Sequence, residues 1–141
     1  MAYEFKVSAK RSNLMRKIKS EKTTPEILLY KALRKEKIRF KSYYSSLPGK
    51  PDAALIDKKI AIFVDGEFWH GYKWREKKKK LKANRNYWIP KIERNIARDK
   101  LNNKELKKCG WRVIRFWQYQ IIKDLPICLK KIEKIRKVAL K

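Results

Sequence analysis

Apolar residues gather in four short stretches of β character along this chain and recur at helical spacing in three longer ones. Ile38 to Tyr43 alternates and reads as a first strand. Ala53 to Ile56 and Lys59 to Val64 are compact apolar runs, joined at Asp57-Lys58 by a hairpin turn. Trp111 to Trp117, WRVIRFW, sets Val113 and Ile114 among Arg112 and Arg115 and reads as a fourth strand. Thr24-Pro25-Glu26 opens a helix, with Thr24 as N-cap, Pro25 at the first helical position and Glu26 near the positive end of the dipole. That helix runs to about Lys35, with Leu29, Ala32 and Leu33 facing the core.

A longer helix begins near Asn86 and ends at Gly110, with Pro90 close enough to its start to be tolerated. Trp88, Ile92 and Ile96 form its inward stripe, and Asn95, Arg98 and Asp99 read as an exposed charge pattern. The tail from Asp124 to Leu140 is a closing amphipathic helix, with Cys128, Ile132, Ile135 and Ala139 on one side. Gly71 to Arg85 reads as a basic loop, and residues 1–22 as a basic arm or short helix with Leu14, Met15 and Ile18 as its apolar side. A strand that follows a hairpin by way of a helix is usually parallel to its neighbour. The expected fold is therefore α/β, a mixed central β-sheet flanked by helices, in a single domain over residues 1–141.

Charge narrows the partner. Forty Lys and Arg against fourteen Asp and Glu give a net charge of +26. Such an excess calls for a polyanion, with nucleic acid the first candidate and anionic membrane its rival. No run of about eighteen apolar residues is present to span a bilayer, and no early stretch resembles a signal peptide. Cys109 and Cys128 lack metal-site spacing and read as reduced core residues of a cytoplasmic protein.

The chemistry concentrates between Pro51 and His70, PDAALIDKKIAIFVDGEFWH. Asp52 opens the second strand and Asp65 closes the third, so a tight hairpin brings both acids to one end of the sheet. Paired carboxylates suit Mg2+, which takes oxygen ligands and keeps waters and substrate phosphates around it. Glu67, Phe68, Trp69 and His70, the only histidine, follow at once. Glu26 becomes a third acid of the site if its helix packs near Asp52.

The element order, with acids ending the central strands, resembles the restriction-endonuclease-like core of the PD-(D/E)xK nucleases. Five blocks narrow the resemblance: RSNLMRKI (11–18), LPGKPD (47–52), IFVDGEFWH (62–70), NYWIPKIERNIARDK (86–100) and GWRVIRFW (110–117). In that order they resemble the very short patch repair, or Vsr-type, DNA mismatch endonucleases. The resemblance implies a Mg2+-dependent nick, with Mn2+ able to substitute, in one strand of double-stranded DNA 5′ to the thymine of a T:G mismatch. It implies a monomer at the nucleoid, working with other mismatch-repair proteins. By position, Asp52 would be the principal metal ligand and the backbone carbonyl of Val64 the second contact. His70 would activate water, Glu26 would support the site, and Met15, Phe68 and Trp69 would form the wedge entering the duplex.

Three departures stand out. Asp65 replaces a second histidine, and is expected to join Asp52 as a metal ligand. Glu67, Tyr72, Trp74 and Tyr119 stand where zinc-bearing members have ligands, so structural zinc is expected to be absent and replaced by aromatic packing. Glu67 also occupies the place of the superfamily lysine. Two alternatives share these features: a related endonuclease without T:G preference, and a catalytically silent basic DNA-binding module.

Overall fold

The computed structural model describes residues 23–138, so the expected roles of the N-terminal arm, Met15 and Ala139 lie outside the described residues. Helix α1, Thr24–Lys35, is capped by Thr23 rather than Thr24: the Thr23 backbone N–H donates to Glu26 Oε2 at 3.0 Å. Pro25 sits in the first turn, where a missing N–H costs nothing. Leu29 and Leu33, fully buried, fix α1 against the sheet; truncating either to Ala is expected to cost about 2–5 kcal/mol.

The sheet runs β1 (Lys41–Ser42), β2 (Ala53–Leu55), β3 (Ile60–Asp65) and β4 (Arg112–Trp117), hydrogen-bonded in that order. The first three are antiparallel and β4 lies parallel to β3, which makes the sheet mixed, as expected. The first strand is shorter than the expected Ile38 to Tyr43: at its start the Ile38 N–H is tied to the Leu33 carbonyl at the end of α1, and at its end Tyr43 turns to φ +49. A 3-10 turn, Ile56–Lys58, with Lys59 in the left-handed region, closes the β2–β3 hairpin.

Pleating sorts β3 between two cores. Ile62 and Val64 join Leu29, Leu33, Ile114, Phe116, Ile121 and Ile132 on the side covered by α1, α4 (Gln118–Lys123) and α5 (Leu125–Lys137). Ala61 and Phe63 meet Leu106 of α3 (Arg85–Lys108) on the other. By the same alternation Asp65 belongs to the α3 side. So does Arg115, which pairs with Phe63 across β3 and β4.

The segment expected as a loop between Gly71 and Arg85 contains a helix, α2 (Trp74–Lys80). Tertiary anchoring explains it: Glu93 of α3 accepts from Trp74 Nε1 at 3.1 Å and from Lys78 Nζ at 2.8 Å. Arg85 closes the end by donating to the carbonyls of Lys78 and Leu81. The cysteines also divide, with Cys128, on the inner side of α5, buried as expected and Cys109 exposed. No described helix is long and apolar enough to cross a membrane.

Candidate active site

Register brings the two central acids to one end of the sheet. Ala53 pairs with Ile62, which puts Asp52 just before β2 and beside the last residues of β3. There Asp52 Oδ2 accepts the Val64 N–H at 2.6 Å. Tyr30, from α1, donates its hydroxyl to the Asp52 carbonyl at 2.5 Å. Glu26, 4 % exposed, reaches the same place from the first turn of α1. Its carboxyl is held by Tyr43 Oη at 2.9 Å and hydrogen-bonds to the Asp52 side chain.

Electrostatics then set the state of this pair. Burial, followed by the hydrogen bond that its protonated form donates to the Glu26 carboxylate, pushes the Asp52 carboxyl up to about 8, against the lowering from the Val64 N–H. A carboxyl that holds its proton near neutral pH beside a second buried carboxyl forms a site where a hard cation can replace that proton. The donor chemistry of Glu26 and Asp52 therefore fits Mg2+, with the Val64 carbonyl on the adjoining backbone.

A second acidic group lies on the α3 side. His70 Nδ1 is 2.5 Å from Asp99 Oδ2 and 3.8 Å from Asp65 Oδ1. Arg115 Nη1 lies 3.0 and 3.1 Å from the two oxygens of Asp65 and 3.9 Å from Asp99 Oδ1. Burial pushes the Asp65 carboxyl up, while His70 and Arg115 act in the opposite direction. One ligand atom each from Asp65, His70 and Asp99 lies within 4.8 Å of the others, close enough to hold a metal by spacing alone. These residues line a cavity of about 190 Å³ with Lys100, Asn103 and Trp117. Donation from Nδ1 to the Asp99 carboxylate leaves His70 Nε2 as the imidazole acceptor.

The turn after β3 carries the aromatic residues. Phe68 and Trp69 sit edge to face, and each meets Trp88 of α3, at 5.2 and 5.5 Å. Trp88 is 3 % exposed and Tyr87 beside it 46 %. The Lys91 ammonium lies over Trp69, Tyr87 and Trp88 at 5.3 to 5.8 Å. Asn95 Nδ2 pins the turn by donating to the Trp69 carbonyl at 2.9 Å. Gly71, at φ +73, lets the chain after His70 press on α3, where a Cβ would collide with Ile96 Cδ1.

Known proteins resemble this chain over most of its length. The family described as DNA mismatch endonuclease Vsr matches residues 4–76. The Type II nicking enzyme V.NmeDIP of Neisseria meningitidis serogroup C is 43% identical over 122 residues, covering 86% of this chain and 82% of that protein. The DNA mismatch endonuclease Vsr of Escherichia coli strain K12 is 34% identical over 111 residues, covering 78% and 70%. The chain belongs to the Vsr family.

Against that family's expected site, the structure gathers Glu26, Asp52 and Val64 on one side of the sheet end, and Asp65 and His70 on the other. It adds Asp99, Arg115 and Trp88. Asp99 is absent from the sequence-derived set because its charge, read with Asn95 and Arg98, looks like solvated helix surface. A signal was available: Asn95 and Asp99 are four apart, and each follows a residue of the Ile92–Ile96 flank by three. Arg115 reads as the outward side of a strand until helix α3 covers that face.

The four positions noted in place of zinc ligands form two sets of contacts. Tyr72 stacks edge to face on Trp117 and Tyr119, and Glu67 Oε1 accepts the Tyr119 N–H at 3.1 Å. Trp74 turns instead to Glu93.

Proposed function

We propose that this Vsr-family chain is a monomeric endonuclease that nicks one strand of double-stranded DNA 5′ to the thymine of a T:G mismatch, using Mg2+. The observation that carries the reading is the meeting of three parts at one sheet end: the buried Glu26–Asp52 pair, an imidazole held by Asp99, and a rim of large aromatics.

In this reading Asp52 and the Val64 carbonyl hold the cation, with Glu26 behind them, and Mn2+ serves in its place. The bound ion supplies charge neutralisation at the phosphate. In this reading Asp65, expected beside Asp52 as a ligand, serves on the imidazole side, where both its oxygens accept from Arg115. His70 Nε2 takes a proton from water, and Asp99 keeps the ring in the tautomer that can do so. Phe68 and Trp69, with Trp88 behind them, enter the stack beside the mismatch, together with Met15 from the N-terminal arm. Unstacking a step costs a few kcal/mol and least where pairing is poor, which favours mismatched sites. Lysines around the aromatic rim meet the backbone phosphates. Other mismatch-repair proteins then act on the nicked nucleoid DNA.

The test incubates the protein with Mg2+ and end-labelled duplexes that are matched or carry one T:G pair. A single nick at the mismatch, lost with chelator, supports the reading. Equal cutting of both duplexes points to a family endonuclease without T:G preference. Retention on DNA without cutting points to a silent binding module.

A further inference from the structure

We infer that Arg115 is a positioning residue of the cutting site, its guanidinium serving as the built-in cation of the Asp65–His70–Asp99 group and holding that group free of metal. The inference rests on the proposed function, in which the divalent ion belongs to Asp52. It also explains why a second set of ligand-spaced atoms, within 4.8 Å of one another, lies so near the first.

The geometry supports a clamp. Arg115 Nη1 bonds both oxygens of Asp65 and lies 3.9 Å from Asp99. Its Nε donates to Asn103 Oδ1 at 2.8 Å, and its guanidinium lies 4.0 Å from the centre of the Phe63 ring. The β3–β4 register sets Phe63 beside Arg115, so the stack follows from strand pairing and does not depend on a loop. Asn103 and Asp99 are four apart on α3 and present their polar groups together. The arginine is thus fixed from the sheet, from α3 and from the acid it serves.

Charge decides what this clamp does. A guanidinium stays protonated at any working pH, so its positive charge cannot be withdrawn to admit another cation. A divalent ion among the same oxygens would face that charge at close range in a mostly buried place. Asp65 and Asp99 would otherwise repel each other across the imidazole. With Arg115 between them they can both turn to His70, Asp99 at 2.5 Å and Asp65 at 3.8 Å from Nδ1. An acid at position 65 brings a charge that a histidine there would not, and Arg115 is the residue that meets it.

Manganese binding to the full chain without DNA, followed by electron paramagnetic resonance, tests this apart from activity. Arg115→Met should take up one more Mn2+ per chain than the wild type, and adding Asp99→Asn should remove it. At saturating Mg2+ the same variant should lose about 10- to 100-fold in kcat on a T:G duplex, the usual scale for outer groups that orient a site. KM should stay within about twofold, and Arg115→Lys should recover part of kcat without the extra Mn2+. Unchanged Mn2+ uptake by folded Arg115→Met overturns the inference.

Asp52→Asn, with Arg115 intact, provides the check if Arg115→Met does not fold. It should bind no Mn2+. Binding that persists there and disappears in Asp52→Asn with Asp99→Asn places a metal in the arginine-held group and overturns the inference. Failure of the proposed function shows separately, as wild type that cuts matched and T:G duplexes alike or cuts neither.

Discussion

Two acidic groups share one end of the sheet, and they settle their charge by different means. Around Asp52, burial first and the hydrogen bond with Glu26 second hold the carboxyl near 8, so that a proton meets the negative charge. Around Asp65 it is met by Arg115 at 3.0 Å. Both acids are buried and both have carboxylate neighbours, so burial alone does not distinguish them. The difference lies in what can leave. A proton exchanges for a metal ion within the ordinary pH range, whereas a guanidinium tethered to β4 and packed on Phe63 does not. The first group is thus suited to a transient cation and the second to holding an imidazole still.

Removing the exchangeable half should have the largest effect. Asp52→Asn keeps the volume but cannot carry the charge that attracts Mg2+. Since a bound ion contributes several kcal/mol at a developing phosphate charge, nicking should fall at least about 1000-fold, measured by single-turnover cleavage. Duplex binding, which depends on lysines elsewhere, should persist. A variant that still cuts at wild-type rate removes Asp52 from the site.

Disturbing the fixed half should cost less. Asp99→Asn leaves a hydrogen-bonding group beside His70 Nδ1 but can present its amide to the ring and favour the wrong tautomer. A loss of about 10- to 100-fold in kcat is expected, with Mn2+ uptake by the free protein unchanged. If Mn2+ uptake falls with kcat, the two groups are not separate. Trp69→Ala lies outside both and should act on recognition. Stacking on an aromatic ring contributes about 1–3 kcal/mol per base, so KM for a T:G duplex should rise, by about tenfold, with kcat little changed. Equal loss on matched and mismatched duplex would reduce Trp69 to a support for Trp88.

Much of this architecture is legible in the sequence alone, and for an identifiable reason. The strands and the helices α1, α3 and α5 are written in short-range patterns of apolar residues and caps, and PD at 51–52 and VDGEFWH at 64–70 lie beside the strands that place them. Asp99 and Arg115 are harder to read because their meaning depends on contacts 29 and 50 residues away along the chain. A charged residue on a helix face or alternate strand position looks solvated until the opposite element is known. Helix α2 is hidden likewise: a lysine run is not a strong helix signal until Glu93 is brought to Trp74 and Lys78. The length of β1 misleads in the other direction, since the alternation begins at Ile38 while the Ile38 N–H is bonded back to Leu33 and the strand starts only at Lys41.

The smallest predicted effect sharpens the contrast through stability. The Asp52 carboxyl stands well above its ordinary value of 3.8 in the fold, at about 8, so the folded chain holds this proton more tightly than the unfolded chain does. The contribution is complete below about pH 4 and is lost as pH rises through about 8. In metal-free protein this group alone should therefore lower Tm between about pH 5 and 9. Asp65, also pushed up, adds in the same direction. The other carboxylates of a +26 chain oppose it by easing self-repulsion as they ionise. The readable quantity is thus the difference between wild type and Asp52→Asn, whose amide neither gains nor loses charge: the gap in Tm should widen against the wild type as pH rises. Mg2+ should narrow it again, and most at high pH, because a cation that binds only the folded, deprotonated pair returns stability in proportion to its occupancy. Parallel Tm curves for the two proteins across that range, with or without Mg2+, would mean that the fold does not hold a proton on Asp52, and the distinction between a labile and a fixed half would go with it.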